Sequence, residues 1–514
     1  MKKSTLALSV IAALGGLGIA SSALAITTIG GGTAAALVLN ADGIGHQLIV
    51  PYFTVQGDNV TLLNITNTDL VNGKVVKVRF RGAANSDDLF DFQVLMSPGD
   101  VWTATVSQDA ASKVARLTTT DKTCVLPAAV SQAGGNTFAT SRVDPTPVKG
   151  NSANETREGY VEIINMADIP VSTPTSTGSP AASPLYTAAK HVLGVAPCTA
   201  ASLEAALGTD VADVPGAAIR GMLPPTGGLT SDWIILNQAN TAAWSGSATA
   251  LEARTAAGAR GVANLAFWPQ KFGVPAAFAT STADPLLKLA PLAGEQAAQQ
   301  YDLPDLSTPV LLSDASANAR ATATANALAV TSITNQYVTS TDINAVTDLL
   351  FSQPTRRYAV AYNYATPAVV YNPAVASHYA AANTTEKDRQ VCLNQLISPT
   401  SQNKIFDREE TTPGVGGTVF VISPNVPSAA STFLICGETA VYSINAGIAN
   451  ASALSATVNR GDISIAGTTY KQGWLTVATP GATATGLPIL GGSFIRASNN
   501  VVNYGFLWNH KVTR

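Results

Sequence analysis

Lys74-Val75-Val76-Lys77-Val78-Arg79-Phe80-Arg81-Gly82 decides the fold class. Val76, Val78 and Phe80 alternate with Lys77, Arg79 and Arg81. A period of two is the pleat of a β-strand, which sends successive side chains to opposite faces. One face belongs in a core. The other carries three cations and reads as a solvated strand face. A sharper reading sets that basic row against the acidic turn Asp87, Asp88 and Asp91, against anionic surface sugar, or against a neighbouring subunit.

The same pattern extends on both sides. His46–Val55, Val60–Asn67, Leu89–Met96 and Val101–Ser107 are β-rich, and Gln56-Gly57-Asp58-Asn59, Val71-Asn72-Gly73, Ala83–Asp88 and Ser97-Pro98-Gly99-Asp100 separate the runs. Gly and Asn accept positive φ and Pro fixes its own, so these are turns. Tyr160–Asn165 is a further strand. Beyond it lie helix candidates at Thr199–Leu207, Ala248–Ala259, Ala315–Ala329 and Asp342–Phe351, the last with Asp342 as N-cap. The β signal returns in Arg357–Tyr364, Ala368–Tyr371, Thr418–Ser423, Thr432–Cys436, Val441–Asn445, Asp462–Ile465, Gly473–Val477, Gly492–Ala497 and Val502–Trp508. The fold class is therefore mainly β. Antiparallel β-sandwich domains, Ig-like or jelly-roll-like, stand at both ends of an Ala-rich, partly helical middle. The divisions are 1–25, 26–140, 141–355 and 356–514, with the last expected to pack on the second.

Residues 1–25 read as a secretory signal peptide. Lys2 and Lys3 form the positive n-region, Leu6–Ala20 the apolar run, and Ala23-Leu24-Ala25 the cleavage site. Removing them leaves 28 basic against 33 acidic residues, a net −5. That charge offers nucleic acid no electrostatic footprint. Charged residues make up only 12 % of the chain, about half the usual share. A surface so poor in charge suits a protein covered by neighbours. No apolar run of about 20 residues follows the signal segment, so no membrane-spanning helix is expected; a barrel's strand signal is too weak to test this way.

Cys124, Cys198, Cys392 and Cys436 are even in number in an exported chain, so two disulfides are expected. Proximity in sequence favours Cys124–Cys198 and Cys392–Cys436. Catalytic signatures are missing from the sequence. His46, His191, His378 and His510 lie outside helical ligand spacing of one another, and no HExxH, G-x-S-x-G, P-loop or dinucleotide fingerprint occurs. A Ser-His-Asp triad assembled across the fold stays open. Calcium is the cofactor to weigh, because Asp/Asn-rich turns supply oxygen ligands. The candidates are Asn40-Ala41-Asp42-Gly43, Asp87 and Asp88 with Asp91, and Asp407 with Glu409 and Glu410. The Asp87/Asp88 turn also admits a glycosidase-like carboxylate pair. Trp102, Trp474 and Trp508 lie on predicted strands and read as core residues rather than a sugar platform.

His46-Gln47-Leu48-Ile49-Val50-Pro51-Tyr52-Phe53, Thr61–Asp69, Val78–Asp88 with Phe90-Asp91-Phe92, and the tail Asn503–Phe506 with Trp508-Asn509-His510 resemble a family of Gram-negative cell-surface proteins. These are the surface-layer proteins of β-proteobacterial type, some of them linked to nanopods, the tubular sheaths around chains of outer-membrane vesicles. The resemblance covers both ends of the chain and supplies no active-site residues. It implies a non-enzymatic protein at the cell surface that assembles with itself on the outer membrane or its lipopolysaccharide, with Ca²⁺ at interfaces. The rival readings are an outer-membrane porin-like barrel and a secreted hydrolase or glycan-binding module.

Overall fold

The computed structural model describes residues 27–141, 143–147, 150–173, 181–209, 211–267, 317–364, 367–372, 378–396, 404–408, 432–445, 452–464, 472–499 and 501–514. The expected signal segment and the strand expected at Thr418–Ser423 lie outside the described residues.

The chain is mainly β, built from several antiparallel sheets. Two seven-stranded sheets form a sandwich in the N-terminal half. One runs Ala36–Leu39, Thr249–Arg254, Gln47–Thr54, Glu158–Ile169, Gly73–Gly82, Asp88–Met96, Cys124–Leu126. The other is centred on Asn59–Asn67, between Val101–Gln108 and Asp232–Asn237, with Ala242–Ser247 at its edge. The inward period-two positions of both, among them Tyr52, Val78, Phe80, Phe92, Ile65, Trp102 and Trp233, share one core. Strands from the 141–355 stretch thus pair inside the sheets that the first 140 residues begin.

The C-terminal half adds a five-stranded sheet in the order Arg460–Ser464, Thr439–Asn445, Val346–Ser352, Leu490–Ser498, Asn503–Asn509. A four-stranded sheet contains Ser332–Val338 and Gln472–Ala478, and a three-stranded one contains Gln390–Leu396 and Thr432–Cys436. Leu350, Val441 and Phe494 lie in the same core as Tyr52 and Trp244. The segment 452–459 clasps the halves together. Gln56 Oε1 accepts the N–H groups of Thr457 and Val458 at 2.8 and 2.9 Å, and Asn59 Nδ2 donates to Leu454 O at 2.6 Å.

Two expected helices are strands. Ala248–Ala259 contains the strand Thr249–Arg254, which pairs on both sides. Asp342–Phe351 becomes a 3-10 turn, Thr341–Ile343, and the central strand Val346–Ser352. Asn344 takes φ 42° and ends the turn. The cap is Ser340, whose hydroxyl accepts from Asp342 N–H, not Asp342 itself. In both segments tertiary pairing overrode a weak, Ala- or Leu-based helical preference. Ala200–Leu207 and Ala317–Leu328 are helical as read.

Cys124 bonds Cys198 and Cys392 bonds Cys436, closing separations of 74 and 44 residues. The first bridge ties a sheet edge to the helices Pro184–Ala189 and Ala200–Leu207, whose Leu185, Ala188, Leu203 and Leu207 form a satellite core. Reducing both bridges is expected to lower stability by roughly 2–4 kcal/mol each. Thermal unfolding with and without dithiothreitol checks this; coincident curves would contradict it.

Candidate functional site

The basic row is not solvated. Lys77, Arg79 and Arg81 are each 0 % exposed. Their sheet is covered on both sides, by the sandwich core on one and by the C-terminal half and the satellite core on the other. Burying a guanidinium or an ammonium is costly unless opposite charge and hydrogen bonds accompany it. The register supplies both. Arg79 stands directly between Asp91 on one neighbouring strand and Glu162 on the other. Lys77 Nζ pairs with Asp91. Arg79 lies 3.7 Å from Glu162 and 3.9 Å from Asp88; Arg81 lies 3.4 Å from Glu162 and 4.0 Å from Asp88.

The C-terminal half completes this charged layer. Arg357 Nη1 donates to Ser86 O at 3.2 Å, and Tyr358 OH donates to Glu162 Oε1 at 3.3 Å. Tyr364 OH donates to Asp87 Oδ2 at 2.7 Å. Tyr160 hydrogen-bonds Ser86 and also donates to Pro354 O. Arg356 spans Glu438 at 3.4 Å, Val391 O at 3.0 Å and Ala84 O at 3.4 Å. Burial drives the Glu438 carboxyl up to about 7, against the pull of Arg356 and Arg357. Burial, aided by Glu162, also raises the Tyr160 phenol, and burial with Asp87 raises that of Tyr364, so both stay protonated donors.

The sequence placed Asp87, Asp88 and Asp91 as calcium ligands. The structure sets Asp88 and Asp91 against the basic row and turns Asp87 to Tyr364, all three buried. Calcium there would have to displace ammonium and guanidinium groups already in place. Asn40 and Asp42 form an ordinary turn, in which Asn40 Oδ1 accepts from Asp42 N–H. Asp407 is buried, and Glu409 and Glu410 lie outside the described residues. Among the described residues no group of three or more His, Cys, Asp or Glu side chains is placed to hold a metal.

One Ser-His-Asp trio does assemble. Ser97 Oγ lies 3.0 Å from His191 Nδ1, and Asp100 Oδ2 lies 3.6 Å from the same nitrogen. A relay needs the acid on one ring nitrogen and the hydroxyl on the other. Here both meet Nδ1, so this trio lacks the catalytic arrangement.

The outer surface carries the feature that sequence reading missed. Asn503–Asn509 is the edge strand of its sheet. Tyr504, Phe506 and Trp508 are 48, 49 and 38 % exposed along one face. Nearby in sequence Val502 and Val512 are exposed too. The opposite face is seated on the N-terminal sandwich. Gly505 lies so close to Ala243 O that a Cβ would meet it at 2.1 Å, and Leu507 packs beside Gly246 and Trp233. Trp102 is buried as expected, but Trp508 and Trp474, the latter 40 % exposed and stacked on Phe406, are not core residues. Alternation alone cannot say which face of an edge strand meets water when both faces are apolar.

Comparison with known proteins adds no relative: no family model, no curated protein and no solved structure matches this chain.

Proposed function

We propose that this chain is a structural, non-enzymatic cell-surface protein that self-assembles into a surface layer or vesicle-tube sheath on the outer membrane. One observation carries the reading: an uncharged edge strand presents three aromatic side chains to solvent. Natural proteins blunt exposed edges with Lys, Pro or a bulge, because an open row of N–H and C=O groups recruits another strand. Residues 497–510 contain no Lys, Arg, Asp, Glu or Pro. A neighbour that adds a strand there would cover the aromatic row at the same time.

The distribution of charge supports the same reading. Part of the small charged complement lies inside, in Lys74, Lys77, Arg79, Arg81, Arg356, Arg357 and their acidic partners. Each described sheet runs between two ends and none closes into a barrel, which favours a lattice subunit over a porin. The open ends suit contacts that propagate rather than close. The outer-membrane surface or its lipopolysaccharide would be the support.

Phe506→Lys tests this. The side chain points to solvent, so the fold should tolerate the change within about 0.5 kcal/mol. Sedimentation velocity should show large assemblies of the mature protein and dispersed particles of the variant. Equal sedimentation of the two would contradict a role for this strand.

A further inference from the structure

A second buried lysine sits apart from the charged layer, and its surroundings are those of a reaction rather than of an ion pair alone. Lys74 and Asp168 face each other directly across the strands Gly73–Gly82 and Glu158–Ile169. The Lys74 side chain is 0 % exposed and that of Asp168 3 %. Lys74 Nζ lies 2.6 Å from Asp168 Oδ1 and 2.9 Å from Asp69 Oδ2, and its third hydrogen bond goes to Thr226 Oγ1 at 3.1 Å. Asp168 Oδ2 is held separately by two donors of one residue, Thr226 Oγ1 at 2.6 Å and Thr226 N–H at 3.2 Å. The backbone of Asp168 is fixed by reciprocal hydrogen bonds with Leu223, both 2.9 Å. An amine, a carboxyl with one oxygen cradled by two donors, and a second carboxylate on the amine are the parts of an intramolecular acyl transfer.

We propose that Lys74 and Asp168 are joined by an amide bond between their side chains, formed after folding with Asp69 as proton carrier. The ammonium first gives a proton to Asp168 Oδ1 along their hydrogen bond, leaving a neutral amine and a carboxylic acid. Nζ then forms a bond to Cγ. The charge that develops on Oδ2 falls between the Thr226 N–H and hydroxyl. Asp69 takes a proton from the new ammonium nitrogen and returns it to the Oδ1 hydroxyl. The Cγ–Oδ1 bond breaks, water leaves, and Asp69 is again a carboxylate. One ammonium and one carboxylate become one amide and one water, with no oxidant or cofactor.

The two carboxyls are shifted in opposite directions, and only the shift at Asp168 assists the transfer, because a carboxyl held low is a weak base. Burial raises Asp168 toward the protonated form, opposed by Lys74 and Thr226. Burial also pushes Asp69 up, but hydrogen bonds from Lys74 and from the N–H groups of Asn72 and Val71 outweigh it and hold the carboxyl at about 2. The bond would cross-link neighbouring strands of the central sheet, which suits a protein pulled on by its neighbours outside the cell.

Peptide mapping of the reduced, alkylated, tryptic-digested mature protein decides the matter. The peptides bearing Lys74 and Asp168 should be recovered as one branched species, one water lighter than their sum, with no cleavage after Lys74. Asp69→Asn, at a partly exposed position, should fold and yield the two linear peptides. Cleavage after Lys74 in the wild-type protein, or a cross-link at Lys77 and Asp91 instead, would overturn the proposal. The wild-type map stands even if the variant fails to fold.

Discussion

Replacing Arg356 with Met is expected to cost about 3–5 kcal/mol of stability, the usual loss when one partner of a buried ion pair is removed. Arg356 is 1 % and Glu438 0 % exposed. Its guanidinium also serves the carbonyls of Val391 and Ala84, so it joins three segments that lie far apart in the sequence. Met fills the space of the stem and supplies no charge. The penalty is then the cost of driving the buried Glu438 carboxyl to its protonated form, plus the two carbonyls left behind. Adding Glu438→Gln to the same chain removes that carboxyl's charge and should recover a measurable part of the loss. Denaturant midpoints of the wild type, both single variants and the double variant form the cycle. A single-variant loss under about 1 kcal/mol, or strict additivity in the double, would show that Glu438 and Arg356 are not coupled.

Stability should also fall steeply as the pH drops from 6.5 to 4. Burial is the main cause at both responsible histidines. It lowers His46 to about 4, against Glu252 and reinforced by Lys74 and Arg260, and it lowers His510 to about 4 against a hydrogen bond to Leu350 O. His510 Nε2 sits 2.7 Å from Leu350 O, and Nδ1 sits 3.0 Å from Asn335 Nδ2. The neutral ring that donates from Nε2 and accepts at Nδ1 satisfies both partners. A second proton would face an amide N–H and destroy that fit. Sign follows from the order of the two states. The unfolded histidine takes its proton near 6.5 while the folded one waits until about 4. The contribution is therefore present above 6.5 and lost as the pH falls toward 4, about 3 kcal/mol for each ring at 1.36 kcal/mol per unit.

Glu438 works in the opposite direction. Its folded carboxyl titrates at about 7, above the ordinary 4.5, so its contribution is full below 4.5 and lost as the pH rises through 7. The two histidines outweigh this glutamate, so stability falls toward pH 4. His510→Gln should remove roughly half of the histidine-driven slope. A wild-type midpoint unchanged between pH 6.5 and 4 would contradict the burial of these rings.

The strands were legible where alternation met turn chemistry. His46–Val55, Lys74–Gly82 and Val101–Ser107 match Gln47–Thr54, Gly73–Gly82 and Val101–Gln108 within a residue or two. Both disulfides followed from spacing in sequence. What covers a strand was legible only in part: the reading that set the basic row against the acidic turn holds for Asp88 and Asp91. Lys77, Arg79 and Arg81 looked solvated because a lone strand shows only that its two faces differ. The acids that neutralise them arrive from Glu162 and Asp88, and Arg357 and Glu438 extend the layer from far along the chain. Trp508 was unreadable for the converse reason. Leu507 and Gly505 took the inward face of the strand, leaving the larger rings outside.

Electron microscopy of the purified chain from Ile26 onward, with and without millimolar Ca²⁺, tests the assembly reading most directly. Ordered sheets or tubes are the expected result, and they should disappear in Phe506→Lys. Dispersed single particles in every condition would contradict a lattice subunit.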